Sequence, residues 1–335
     1  MKKIIILLIL SFVSCKNQTE NEIGSNSYDF ENSEFRNPKY LTVIDSTKTN
    51  QQVENLINDL LDEKYKKHEK FLIKKVWDFT KESIYSDYCK RTANSLGINK
   101  AFYKGDFDGN QLTDLLVTGD FYGFNIFTVL SFENDSLGLN QLTRSHSQEC
   151  AFPKIKDDSI IEYYYQPYNG FAKEDKPGKK LLVYKFDDFV ELNESPVNHK
   201  IDKIEFETGP CFGTCPIFSL TLQENKKSRF KAIAYNFNDD WQKRDWNKNE
   251  GEFQTNLNKE SWDELIEILN YIDFENLKNS YAVNWTDDQS VELKIYYDNG
   301  KVKEINDYGL IGTFGLSILY HKLFEIRKNQ DWKKE

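Results

Sequence analysis

The sequence lacks the patterns by which the common enzyme classes are recognised. It has only four histidines, and no two of them stand at the spacing of metal ligands. It also has no Gly-x-Ser-x-Gly nucleophile motif, no phosphate-binding glycine loop and no His-Glu-x-x-His motif. These absences argue against the familiar hydrolase, nucleotide-binding and zinc-protease classes, and we assign no catalytic residue.

Positive charge is also scarce. The chain has 44 Lys and Arg against 54 Asp and Glu, which gives a formal net charge of −10. Nucleic-acid binding needs a basic face that neutralises phosphates, so we expect no nucleic-acid partner. There is a single Met, but aromatic residues reach 15% of the chain, and this composition favours strands.

After the first residues, the chain has no hydrophobic run of about 18 residues that would suit a membrane-spanning helix. Residues 1–15 form a signal-peptide pattern: two lysines, an apolar stretch at residues 4–10, and a short segment ending in Ser14 and Cys15. The pattern resembles a bacterial lipoprotein signal, which implies cleavage before Cys15 and attachment of acyl chains such as palmitate. The alternative is an ordinary secretory signal with an incidental cysteine.

A lipid on Cys15 implies a protein anchored to the bacterial cell envelope, on the outer membrane with a periplasmic or surface location. The membrane would then be one partner, through the N-terminal lipid, and an envelope or surface protein another. Exported proteins meet an oxidising compartment, and four cysteines remain for two disulfides. The simplest pairing is Cys89–Cys150 and Cys211–Cys215, because it keeps each bond within one half of the chain.

The texture of the sequence divides the chain into segments. Residues 16–50 are polar, with scattered apolar positions, and are typical of a disordered tether. Residues 51–196 and 197–330 each combine helical and strand patterns, and a polar stretch separates them. We therefore predict an α+β fold of two domains, each an antiparallel sheet packed with one or two helices.

Helical periodicity marks three segments. The first starts near Val53 and reaches Tyr65, and its pattern is compatible with a continuation to Val76. The second starts with a capping box from Ser261 to Glu264. The third places Leu316, Leu319, Leu323 and Ile326 on one face.

The strand predictions, with a hairpin at residues 298–300, rest on alternating apolar runs between turn signals. They cover residues 114–119, 124–132, 137–144, 160–165, 180–186, 203–208, 217–222, 230–235, 291–297 and 302–307.

One polar loop carries oxygen side chains at alternate positions before an apolar strand. The side chains of Asp106, Asp108, Asn110 and Asp114, with the carbonyl of Leu112, are the candidate ligands. Calcium accepts such oxygen-rich, irregular shells, so the spacing predicts a calcium site. The alternative is a solvated acidic turn.

The same loop resembles the calcium loop of FG-GAP and integrin-α-like repeats, which lies between two strands. The resemblance covers residues 105–117 and has no second copy in the chain, so it does not imply a propeller. The loop departs from an EF-hand, because Val117 occupies the position of the bidentate Glu. Gln111 occupies the position of the usual turn glycine, which implies a strained bend or a weak site.

The second distinctive stretch is Gly-Pro-Cys-Phe-Gly-Thr-Cys-Pro at residues 209–216. It resembles the signature of an uncharacterised domain family found in exported bacterial proteins, and the likeness extends more loosely over residues 201–327. Three hypotheses for Cys211 and Cys215 stay open: a structural disulfide, a redox-active pair, and a metal site. Reactive thiols usually lie at a helix N-terminus, whereas a strand is predicted after Pro216.

Three functions follow as hypotheses. The favoured one is a non-enzymatic envelope lipoprotein that binds or scaffolds other components. The second is an inhibitor or immunity-type protein that blocks an exported enzyme. The third is an enzyme that uses Cys211 and Cys215 or a metal. A loop with Trp241 and Trp246 is either a binding edge or a cover for the sheet.

Overall fold

A computed structural model of the chain shows a mainly β protein with some helix. In its described part it has five α-helices and three sheets, which are antiparallel except for one strand pair. The predicted α+β class is confirmed in this coarser form, whereas the predicted division into two domains stays a prediction. The described residues are 38–65 (side chains to 61), 69–76, 78, 81, 86–98, 100–144, 148–167, 177–224, 227–236 and 250–335.

The first sheet has five strands with β3 at its centre. Strand β4 pairs along one side of β3, while β1 and β2 pair with its two ends on the other side. Strand β5 completes the sheet beside β4. The strands are β1 (Leu72–Ile73), β2 (Phe102–Gly105), β3 (Asp114–Asp120), β4 (Phe124–Ser131) and β5 (Leu137–Gln141).

Two helices, α1 (Val43–Ser46) and α2 (Asn50–Tyr65), pack on this sheet. The predicted stripe of α2 is confirmed, because its apolar side chains contact the buried side chains of β3 and β4. Two predictions are wrong. The helical pattern does not continue to Val76, because residues 72–73 pair with the edge of β3 instead. The tether does not extend to residue 50, because Ile44 of α1 is fully buried in the same core.

The second sheet is an antiparallel meander of four consecutive strands. They are β6 (Gln148–Asp157), β7 (Ile160–Pro167), β8 (Gly178–Lys185) and β9 (Asp188–Glu191). Helix α3 (Asp87–Leu96) packs on β6 through Cys89 and Ala93. Neither α3 nor β6 was predicted, and for α3 the reason is that its buried face consists of small residues and has no strong apolar stripe.

The third sheet has eight strands, in the order β14-β16-β15-β10-β11-β12-β13-β17. Among the strands that the structure describes in this sheet, only the short β14 pairs in parallel, with β16. The predicted hairpin about residues 298–300 is confirmed between β15 and β16. The strands are β10 (Ile201–Thr208), β11 (Ile217–Leu222), β12 (Lys227–Ala234), β13 (Gly251–Asn256), β14 (Ser280–Ala282), β15 (Ser290–Tyr297), β16 (Lys301–Tyr308) and β17 (Lys333–Lys334).

Helices α4 (Lys259–Tyr271) and α5 (Phe314–Asn329) cover one face of the third sheet. Alternate residues of β10, β11 and β15 are buried against them, as the period of a half-buried strand requires. The predicted capping box is wrong by one turn. The N-cap is Asn258, whose side chain accepts a hydrogen bond from the Ser261 N–H, so Ser261 lies inside the helix.

The core of the third sheet also includes side chains from the second sheet, namely Val190 of β9 and the partly buried Val183 of β8. Val190 of β9 is fully buried among the side chains of the third sheet and its helices. The described residues all belong to one compact unit. No helix in the described ranges is long and apolar enough to cross a membrane.

Candidate calcium site and disulfide loop

The loop between β2 and β3 brings three carboxylates together. Oxygens of Asp106, Asp108 and Asp114 lie within 4.8 Å of one another. The chain turns inward at Gly109 and Gln111, whose φ angles are +76° and +66°. Gln111 therefore adopts a left-handed conformation without a glycine, and its N–H donates to Asp106 Oδ2 at 3.1 Å.

Asp114 is fully buried at the start of β3. Its Oδ2 accepts a hydrogen bond from the Phe107 N–H at 2.7 Å, and its Oδ1 accepts one from the Ser131 N–H at 2.8 Å. Burial, followed by the charges of Asp108 and Asp106, raises the pKa of Asp114 to about 8. The two backbone N–H donors favour the ionised form of Asp114, whereas burial and the neighbouring negative charges disfavour it.

The other two carboxylates lie beside Asp114. Burial raises the pKa of Asp108, and the nearby Asp106 adds to the shift. Oδ1 of Asp106 is buried and accepts no hydrogen bond from the described residues. A buried carboxylate oxygen without a donor is costly, and a cation beside the three groups would remove that cost. The donor set, all hard oxygen, fits calcium.

The remaining predicted ligands hold the turn together. The side-chain amide of Asn110 donates to Asp108 Oδ2 at 2.9 Å and to the Ser131 carbonyl at 2.7 Å. Its Oδ1 accepts from the Leu112 N–H at 2.7 Å, so it is already engaged. The structure therefore brings Asp106, Asp108 and Asp114 together as acidic candidates, while Asn110 faces Asp108 with its N–H group.

The four cysteines of the folded part lie at disulfide distance in the predicted pairs. Cys89 of α3 meets Cys150 of β6 with a Cα–Cα distance of 6.2 Å, and Cys211 meets Cys215 at 5.8 Å. Both distances lie in the range of ordinary disulfides. The predicted Cys15 lies outside the described residues, as do Trp241 and Trp246.

The second pair closes residues 209–216, which we call the disulfide loop. Gln289 is buried beneath it, and its side-chain amide donates to the carbonyls of Gly209 and Pro216 at 3.2 and 2.8 Å. A Cβ at Gly209 would overlap the hydroxyl of Ser290, so a larger residue there requires this hydroxyl to move. Strand β11 follows the loop, so neither cysteine lies at the start of a helix.

Two further polar groupings were not predicted. His199 is almost fully buried, with Nδ1 2.6 Å from Asp298 Oδ2, across 99 positions of sequence. A cavity of about 570 Å³ is lined by Lys180 and Glu191, whose charges pair at 2.6 Å. Glu191 also accepts hydrogen bonds from the Phe314 and Gly315 N–H groups at the start of α5. In both groupings the polar atoms bind other atoms of the protein, which is typical of structural residues.

Residues 202–327 match a family model described as a domain of unknown function (DUF6438). The match includes the disulfide loop, β10 to β16 and both covering helices, but excludes the aspartate loop. It agrees with the expectation of an uncharacterised domain in this part of the chain. No curated protein and no solved structure matches the chain.

Proposed function

We propose that the chain is a non-enzymatic binding protein of the bacterial cell envelope, anchored by a lipid on Cys15 and containing one structural calcium ion. The observation that carries the calcium site is the buried, unpaired oxygen of Asp106 beside Asp108 and Asp114. Two cysteine pairs at disulfide distance support an oxidising compartment. The domain of unknown function at residues 202–327 indicates no reaction.

Calcium in this loop would act on stability. The three carboxylates would hold the ion, and its charge would cancel their mutual repulsion. Because Asp114 begins β3 and binds the Ser131 N–H of β4, the ion would fix the loop to the centre of the first sheet. A scaffold held in this way presents a surface that does not change on binding, which suits recognition.

Calcium is expected to raise the melting temperature of the full chain in mild detergent. Extracellular calcium modules have dissociation constants of about 0.1–1 mM, so about 10 mM calcium would stabilise the chain by about 1.4–2.7 kcal/mol. That is a shift of about 3–6 °C, measurable by scanning calorimetry or fluorescence. In Asp108→Asn the shift should disappear, and the stability of the metal-free protein should change little, because the loss of one repelling charge offsets the loss of one hydrogen bond from Asn110.

The matched control is Asp135→Asn, since Asp135 is an exposed acid in the turn between β4 and β5. It should keep the full calcium shift. The shift should also grow between pH 6 and pH 8.5. Asp114 has a folded pKa raised above its unfolded value, so metal-free stability falls as pH rises toward about 8, while deprotonation favours the metal. The calcium site is rejected if wild type and Asp108→Asn respond alike.

The lipid anchor has its own test. In a bacterial host that processes lipoproteins, the wild-type chain is expected in the membrane fraction and labelled by a clickable palmitate analogue. Cys15→Ser should lose the label and the membrane association together, because no acyl chain can attach. Ser14→Ala, which keeps a small residue before the cysteine, is the control. Membrane association of an unlabelled Cys15→Ser chain would place the anchor elsewhere.

A further inference from the structure

The disulfide loop carries an aromatic side chain that the fold does not use. Phe212 lies between the two cysteines, and 88% of its surface is exposed, more than for any other large hydrophobic residue in the described part of the chain. The same part of the chain contains no ring contact to Phe212. An exposed phenylalanine costs solvation free energy that packing would recover, so its position needs another explanation.

The disulfide loop fixes the backbone at Phe212. Its own N–H donates to the carbonyl of Asp287 at 2.8 Å, and the Gly209 N–H donates to the Ser290 carbonyl at 2.8 Å. The buried Gln289 holds both ends of the loop, and the cysteine pair closes it. An aromatic side chain with two χ angles on a fixed backbone loses little conformational entropy on binding, which suits a binding hot spot.

The described residues next to the disulfide loop include three acids. Residues 284–288, which touch the disulfide loop through Asp287, contain Asp287, Asp288 and the half-exposed Trp285. Glu207 is exposed at the end of β10, just before the loop. Within the described residues no Lys or Arg forms an ion pair with any of these three acids. A partner with basic groups would complement this charge.

We propose that the disulfide loop and residues 284–288 form a docking surface for a basic protein segment, which receives Phe212 in an apolar pocket flanked by Lys or Arg. The proposal rests on the binding role proposed above and adds the class of partner. Negative charge beside the anchor disfavours insertion into an anionic membrane, so the same features favour a protein over a lipid surface.

A random peptide library displayed on phage is the probe. It is selected on the full chain in mild detergent, with both disulfides intact, and counter-selected on Phe212→Ala. Enriched peptides should carry a net positive charge and at least one large apolar residue. Their affinity should fall about tenfold or more in Phe212→Ala and several-fold in Asp287→Asn, and it should weaken as salt is raised.

Two controls separate the outcomes. Val302→Ala removes a half-exposed apolar side chain on β16 and should leave peptide affinity unchanged. Asp108→Asn should also leave it unchanged, so a failed calcium site would not remove the docking signal. The proposal is overturned if no peptide distinguishes wild type from Phe212→Ala, or if the enriched peptides are acidic. It is also overturned if Phe212 instead governs binding to phosphatidylcholine–phosphatidylglycerol vesicles.

Discussion

Cys89→Ala with Cys150→Ala is expected to lower the free energy of unfolding by about 4 kcal/mol, against about 2 kcal/mol for Cys211→Ala with Cys215→Ala. The difference follows from the sequence separations of 61 and 4 residues, because a bond that closes a longer loop removes more entropy from the unfolded chain. Alanine is preferred to serine because Cys89 and Cys150 are buried and a hydroxyl there would lack a partner.

The first pair also fastens an element that has few other contacts. Helix α3 fully buries Cys89 and Ala93, in a small cluster with Phe152 of β6, and its Tyr88 and Leu96 pack partly buried against that cluster. Its remaining attachments include the Ser86 N–H, which donates to the Glu149 side chain. Without the disulfide, so small a buried face offers little to hold the helix on the second sheet.

Urea unfolding of the two double variants, followed by fluorescence and by circular dichroism, measures both losses. Hydrogen exchange adds a local readout: α3 should exchange faster in the first variant, and the disulfide loop in the second. Equal losses in the two variants would contradict the loop-length argument. Free thiols in wild-type protein recovered from the envelope would contradict the pairing itself.

The sequence predicts elements well where one face is strongly apolar. Helix α2, strand β11 and the hairpin of β15 and β16 all have large side chains at the period of their element. Helix α3 was missed because its buried residues are small. Residues 72–73 were predicted to be helical because their apolar spacing suits a helix. They form a strand because they pair with the end of β3 that β2 does not cover.

The aspartate loop shows the same division between local and distant information. Alternate oxygen side chains predicted that several acids would face one point, and Asp106, Asp108 and Asp114 do so. The role of Asn110 could not be predicted, since it depends on the carbonyl of Ser131, 21 residues further along the chain. The sequence spacing indicates which side chains can lie close together. Hydrogen bonds to distant strands decide which atoms of those side chains face the site.

Arg144 is the clearest case of a residue that spacing could not reveal. Its guanidinium donates to the carbonyls of Ile311 and Thr313 at 3.1 and 3.0 Å, to the carbonyl of Gly312, and to Ser317 Oγ at 2.5 Å. These partners lie 167 to 173 positions away. One arginine thus connects the chain after β5 to the start of α5.

The same turn is held from its other side. The buried carboxylate of Asp307 accepts hydrogen bonds from the Ile311 and Gly312 N–H groups at 2.9 and 2.8 Å. Burial raises the pKa of Asp307, and these two donors oppose the shift. Arg144 also lies over the ring of Phe314, 4.6 Å from its centroid. In this turn Arg144 therefore binds the carbonyls of residues 311–313, and Asp307 binds the N–H groups of residues 311 and 312.

Arg144→Ala is expected to lower the free energy of unfolding by about 3 kcal/mol, because three carbonyls lose a charged donor and the ring of Phe314 loses its cation. Arg144→Lys should recover less than half of that loss, since one ammonium cannot reproduce the contacts of a planar guanidinium. Urea unfolding measures the loss, and hydrogen exchange at residues 311–317 reports whether the start of α5 opens.

The matched control is Arg229→Ala, which removes an exposed arginine from β12 and should change stability by less than about 0.5 kcal/mol. If Arg144→Ala behaved like that control, Asp307 alone would be sufficient to hold the turn. If Arg144→Lys matched wild type, charge rather than guanidinium geometry would be the cause. In the first case the start of α5 would be attached to the rest of the chain by other contacts, such as that of Phe314 with Tyr163 of β7.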